Sequence, residues 1–237
     1  MKKAFTMLEL IFVIIIIGIL AAMILPSTRT NPLQEAAVQL ASHIRYTQHL
    51  AIVDDRYDRT NLDGAGVAKW YKERWQLVFT NSARPNSTVA YTIFSDASAA
   101  ASAGSPDISE VALNPQDNSK ILSGGTTAVG FTSNHAQVTK KLNLELSYGV
   151  TSVTMGGGCP AAGLRLAFDS LGRPLKGDHD SMKSPYNTSN PYKTGKQRLI
   201  MTPCTITLSD GADTEVLRIM QETGFVCILD ATRKRCI

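Results

Sequence analysis

Residues 1–26 read MKKAFTMLELIFVIIIIGILAAMILP, and the rest of the chain is understood outward from them. Over residues 5–25 every side chain is apolar or small except Thr6 and Glu9. As a helix rising 1.5 Å per residue, those 21 residues reach about 30 Å, the thickness of a bilayer's hydrocarbon core. Lys2 and Lys3 favour a cytoplasmic start, which puts the following domain on the far side of the membrane. A cleaved secretory signal shares the basic start, but this run is long and no A-x-A site follows it. A plain signal anchor gains nothing from a carboxylate one turn into lipid. Such an acid costs on the order of 2–3 kcal/mol near the bilayer centre and less at its edge. Glu9 is therefore expected to have a task.

Ala4-Phe5-Thr6-Met7-Leu8-Glu9-Leu10, then the Ile/Val run, Gly18-Ile19-Leu20-Ala21-Ala22 and Pro26, resemble the class III signal of type IV prepilins and pseudopilins. The resemblance implies cleavage between Ala4 and Phe5 by a membrane-embedded prepilin peptidase, with N-methylation of Phe5. The family has Gly before the cut, and this chain has the nearly as small Ala4. A leader of residues 1–4, a transmembrane helix of residues 5–25 and a bacterial inner-membrane location with the head in the periplasm follow as expectations. So do the partners: prepilin peptidase, other pilin or pseudopilin subunits and an inner-membrane assembly platform. Cleavage frees a positive amine on Phe5. Glu9 can neutralise that amine on a neighbouring subunit or on its own chain, turning a lone-charge penalty into a registry device. Pro26 would fall inside a continuous helix, remove one backbone hydrogen bond and kink it.

Outward from Pro26, residues 33–53 recur at helical spacing. Leu33, Ala37, Leu40, Ile44 and Ala51 form an apolar stripe that Ala36 and Ala41 widen. Residues 26–53 are thus expected to continue the anchor as an amphipathic helix. Its stripe should pack on a sheet. His43 and His49, six apart, do not share a face and read as packing or surface residues. The rest, residues 54–237, reads as a β-rich periplasmic head. Strands are expected over residues 70–80 (Trp75, Leu77 and Phe79 on one face), 89–95, 128–132, 142–155, 198–208, 215–221 and 225–229. Residues 163–175 read as a hairpin turning at Asp169-Ser170-Leu171-Gly172, and residues 96–125 as a long, poorly patterned connection. The fold class is α+β: a long N-terminal helix, half transmembrane and half amphipathic, packed on a C-terminal antiparallel sheet. Arg45 to Ala51-Ile52, Phe168 with Gly172-Arg173-Pro174, and Thr223-Gly224 resemble the heads of minor pseudopilins and of pilin-like competence subunits.

Four cysteines, Cys159, Cys204, Cys227 and Cys236, lie in the C-terminal third without a C-x-x-C pair, which disfavours a zinc or redox motif. In the periplasm they read as disulfides. Of three pairings we favour Cys159–Cys204 and Cys227–Cys236, with four buried thiols as the alternative. No catalytic constellation, cofactor motif or metal site is apparent. Gly156-Gly157-Gly158-Cys159 lacks the Lys and Ser/Thr of a phosphate loop, and Asp178-His179-Asp180 lacks further ligands. The net charge of +4 does not by itself imply nucleic acid. Arg233-Lys234-Arg235 can meet phosphates, so a pilin-like DNA receptor for natural transformation is the alternative function. No aromatic residue is interleaved there for stacking. The expected function is a structural and assembly subunit, without turnover, of a type IV pilus-like or type II secretion filament.

Overall fold

Leu, Met, Ala and Ile dominate the chain after Thr6, and they form the helix α1, Met7–Ile24. Thr6 starts it: the Glu9 N–H donates to the Thr6 hydroxyl at 3.3 Å and to the Thr6 carbonyl at 3.1 Å. The computed structural model describes residues 6–24, 31–58, 60–62, 66, 69–80, 88–97, 104–125, 132–159, 163–190, 195–230, 232, 235 and 236. The chain divides into two units, Met1–Asn31 and Pro32–Ile237. In the first, every side chain described on α1, residues 7–21, is exposed. Glu9 is the one charged residue among them. At 18 residues α1 spans about 27 Å. Among the described residues no helix is long and apolar enough to cross a membrane. Pro26, where the kink was expected, lies outside the described residues.

The second unit opens with α2, Pro32–Val53. Pro32 takes the first helical position, where its missing N–H costs nothing and its fixed φ suits the helix. The buried face is Leu33, Ala36, Ala37, Leu40, Ala41, Ile44, Thr47 and Ala51, the stripe read from the sequence plus Thr47. The Thr47 hydroxyl is reconciled to burial by donating to the His43 carbonyl at 2.8 Å. α2 falls in the same compact unit as the residues that follow it.

The α+β reading holds, with two main sheets in place of one. The first has the order β2-β1-β6-β7 and the second β10-β9-β8-β5. The strands of the first are β1, Trp75–Thr80, β2, Ala90–Ser95, β6, Arg165–Phe168, and β7, Pro174–Lys176. Those of the second are β5, Ser152–Gly157, β8, Cys204–Ser209, β9, Thr214–Ile219, and β10, Val226–Ile228. All pairings within them are antiparallel. α2 lies against β1 and β6 of the first sheet and β8, β9 and β10 of the second. One core results: Leu40 and Ile44 meet Leu77, Leu166, Phe168, Ile206, Leu217 and Val226. β8 alternates cleanly, with Cys204, Ile206 and Leu208 inward and Thr205, Thr207 and Ser209 outward.

Two expectations are corrected. Residues 142–155 are not one strand. Asn143 accepts the Leu146 N–H at 3.0 Å and caps the short helix α3, Leu144–Tyr148, which Gly149 ends at φ 72° before β5 begins. Residues 96–125 are not a patternless connection. They include the ribbon β3, Leu113–Asn114, and β4, Asp117–Ile121. Val111 and Ile121, with Val138, cover Phe94 and Val78 on the other face of the first sheet. That cover explains why β2 is buried along its whole length. The expected strand over residues 128–132 lies outside the described residues but for Thr132.

Candidate functional site

An amphipathic helix is held to a sheet by its apolar face, but its angle and register are set by the polar residues at the rim. On α2 these are Gln39, His43, Arg45 and Gln48. The Gln48 side-chain N–H group donates to two carbonyls at once, Gly172 at 2.8 Å and Thr223 at 2.7 Å. One belongs to the β6–β7 turn and the other to the β9–β10 turn. Arg45 adds a 3.0 Å bond to the Val226 carbonyl. The three stretches that resemble minor pseudopilin heads, the end of α2, Gly172-Arg173-Pro174 and Thr223-Gly224, are thus brought to one place. Gly224 permits this: its φ is +64°, and a Cβ there would lie 2.5 Å from the Gly172 carbonyl. Asp169 locks the first turn from below, accepting from the Arg173 N–H at 2.8 Å and from its guanidinium at 2.7 Å.

One helical turn back, the Tyr91 hydroxyl, fully buried, shares a 2.6 Å hydrogen bond with His43 Nδ1 and accepts from Gln39 at 3.0 Å. Gln39 accepts in turn from Tyr148 at 2.7 Å. Burial lowers the His43 pKa from 6.5 to about 4, and burial also pushes the Tyr91 pKa up. Sequence reasoning placed His43 as a packing residue and missed its partner on β2, since a contact 48 residues away leaves no local pattern.

Both favoured disulfides are present. Cys159–Cys204 ties the end of β5 to the start of β8, and Cys227–Cys236 ties β10 to the tail. Within the second loop the Asp230 N–H donates to the Arg235 carbonyl at 2.9 Å, and Asp230 accepts from Thr232 at 2.9 Å. Arg235 is exposed; Arg233 and Lys234, the other two charges considered for DNA, lie outside the described residues. So do Ala4 and Phe5, where processing is expected. Glu9 stands exposed in the first turn of α1, where a negative charge complements the helix dipole.

Asp178-His179-Asp180 does not converge on a point. His179 is completely buried, Asp178 pairs with Arg165 at 3.0 Å, and Asp180 faces Lys72 at 3.8 Å. Burial first, then the nearby Arg74, Arg165 and Arg198, hold the His179 pKa well below its usual value. Among the described residues no three His, Cys, Asp or Glu side chains are grouped to hold a metal ion. A shallow cleft beside Asp54, Arg56, Trp70, Arg74 and Trp75 encloses about 10 Å³, room for about one water molecule. Small-molecule sites commonly hold about 300–1,000 Å³. The chain matches no protein-family model, no curated protein and no solved structure.

Proposed function

We propose that this chain is a pilin-like structural subunit of a type IV filament, a pilus or a type II secretion pseudopilus, anchored in the bacterial inner membrane by residues 5–25. The reading rests on one observation above the others: a lone carboxylate, Glu9, stands in the first turn of a helix that is apolar on every side. A lipid-facing helix has no use for that charge unless a cation meets it. Prepilin cleavage before Phe5 supplies one, a free amine four residues away. The mature subunit then presents an apolar rod with a paired charge at its tip and a disulfide-braced head. Its partners are the prepilin peptidase, its fellow subunits and an assembly platform that provides the energy. It turns over no substrate.

Two features of the head support the reading. α2 lies across both main sheets, the arrangement expected of a pilin spine, and Gln48 gathers the three stretches that carry the second resemblance. The DNA-receptor alternative depends on Arg233, Lys234 and Arg235, of which Arg235 alone lies among the described residues, exposed and in the loop closed by Cys227–Cys236.

The test is the native N-terminus. Mass spectrometry of protein from cells with active prepilin peptidase should find N-methylated Phe5 as the first residue. An intact Met1 there would defeat the proposal. Glu9→Gln should leave cleavage in place and remove the subunit from sheared filaments. Undiminished incorporation of that variant would take away the role assigned to the charge.

A further inference from the structure

The outer strands of the two main sheets differ in how their free edges are treated. β2 is bridged along its edge by Val111, Ser123 and Asn143, and β7 by Leu199. β10 runs on to Leu229, which is bridged by Cys236. β5 pairs with β8 on one side and, among the described residues, with nothing on the other. Its sequence, Ser-Val-Thr-Met-Gly-Gly, contains no charge and no proline, the devices that usually guard such an edge. Its faces alternate, with Val153 and Met155 buried and Ser152 and Thr154 exposed. The strand pairs with β8 at six consecutive positions and is pinned just beyond its end by Cys159–Cys204.

We propose that β5 is a self-association edge, which pairs antiparallel with β5 of a second copy about a two-fold axis at Thr154. The pattern of the strand is compatible with a second copy of itself. Period-two alternation permits only registers that keep apolar residues on one face. With Thr154 on the axis, Val153 meets Met155 of the other copy on the apolar face, and Ser152 meets Gly156 on the polar one. Two uncharged strands meet without like-charge repulsion, and a Thr–Thr cross-strand pair is favourable. The two four-stranded sheets become one of eight strands, joined through main-chain hydrogen bonds as in strand addition generally. Six residues a side bury less than the roughly 1,200 Å² of a stable interface, so the pairing is weak and calls for high concentration.

The experiment uses the full chain in detergent micelles, with sedimentation up to roughly 0.1 mM. Wild type should pass from monomer to dimer. Thr154→Lys, at an exposed position that leaves the thermal midpoint in place, should weaken the dimer at least about tenfold by adding an edge charge. Thr154→Cys should oxidise to an intermolecular dimer far faster than Thr207→Cys, which sits on the same face one strand inward. A monomer throughout, a dimer indifferent to Thr154→Lys, or equal cross-linking at the two positions would overturn the proposal. Indifference to Thr154→Lys would assign the contact to another surface such as α1. None of these outcomes depends on whether Phe5 is methylated.

Discussion

His43 is the residue whose chemistry reaches furthest into the fold. Its ring shares a 2.6 Å hydrogen bond with the buried Tyr91 hydroxyl, and burial lowers its pKa from 6.5 to about 4, which keeps it neutral at pH 7. Above pH 6.5 folded and unfolded chains both hold the ring neutral, and the contribution is complete. Between about pH 6.5 and 4 the unfolded chain binds a proton that the folded chain refuses. Stability therefore falls as pH falls through that window, by about 3 kcal/mol in all from this ring. His179, with its pKa lowered in the same direction, adds to the slope. Chemical denaturation at pH 7 and pH 4.5 should show the loss, and His43→Gln should reduce it while sparing the pH 7 value more. A slope unchanged in that variant would assign the effect to His179 alone. Gly224 tests the turn cluster at the same scale. Gly224→Ala puts a methyl group 2.5 Å from the Gly172 carbonyl at positive φ and should cost about 1–3 kcal/mol in thermal unfolding.

At the scale of elements, α2 and the disulfides carry the stability of the head. Ile44 is fully buried in the middle of the helix, so Ile44→Ala should cost about 2–5 kcal/mol, read as a lowered denaturation midpoint. Cys227→Ser with Cys236→Ser opens a loop with a sequence separation of 9 and should cost about 2–3 kcal/mol. The matching pair at Cys159 and Cys204 closes a separation of 45 and should cost about 4 kcal/mol in the same chain-entropy account. Equal losses in the two double variants would argue that strand packing, rather than loop closure, sets the effect. The α2 stripe could be read in advance because its period of 3.6 is local. The hairpin turning after Phe168 was readable for the same reason, since its strands are neighbours in sequence. α3 was hidden: five residues are too few for a period, and Asn143 and Gly149 decide it by capping. The division into two sheets was hidden too, because β1 takes β6 as a partner across about ninety residues, and strand choice over such distances has no local signature.

For the whole molecule, the sequence told more about the candidate site than about how the head is fastened. Glu9 announces itself as a charge in an apolar run. Gln48 does not, because its two carbonyl partners are brought to it only by the finished fold. The molecule as a whole also makes a prediction about compartment. With both bridges reduced, the summed loss of about 6–7 kcal/mol rivals the total stability of a typical domain, so the head expressed in a reducing cytosol should be largely unfolded by circular dichroism. A native spectrum under reduction would contradict this.

Among the described residues the two main sheets share no hydrogen-bonded ladder, and α2 lies against both. Anyone trimming the chain to obtain a tractable piece therefore has little freedom. A cut just ahead of Asn31 discards the greasy start and keeps the spine. A cut at Asp54, tempting because a polar stretch begins there, would strip the ridge beam from a two-slope roof and leave both undersides open to the rain.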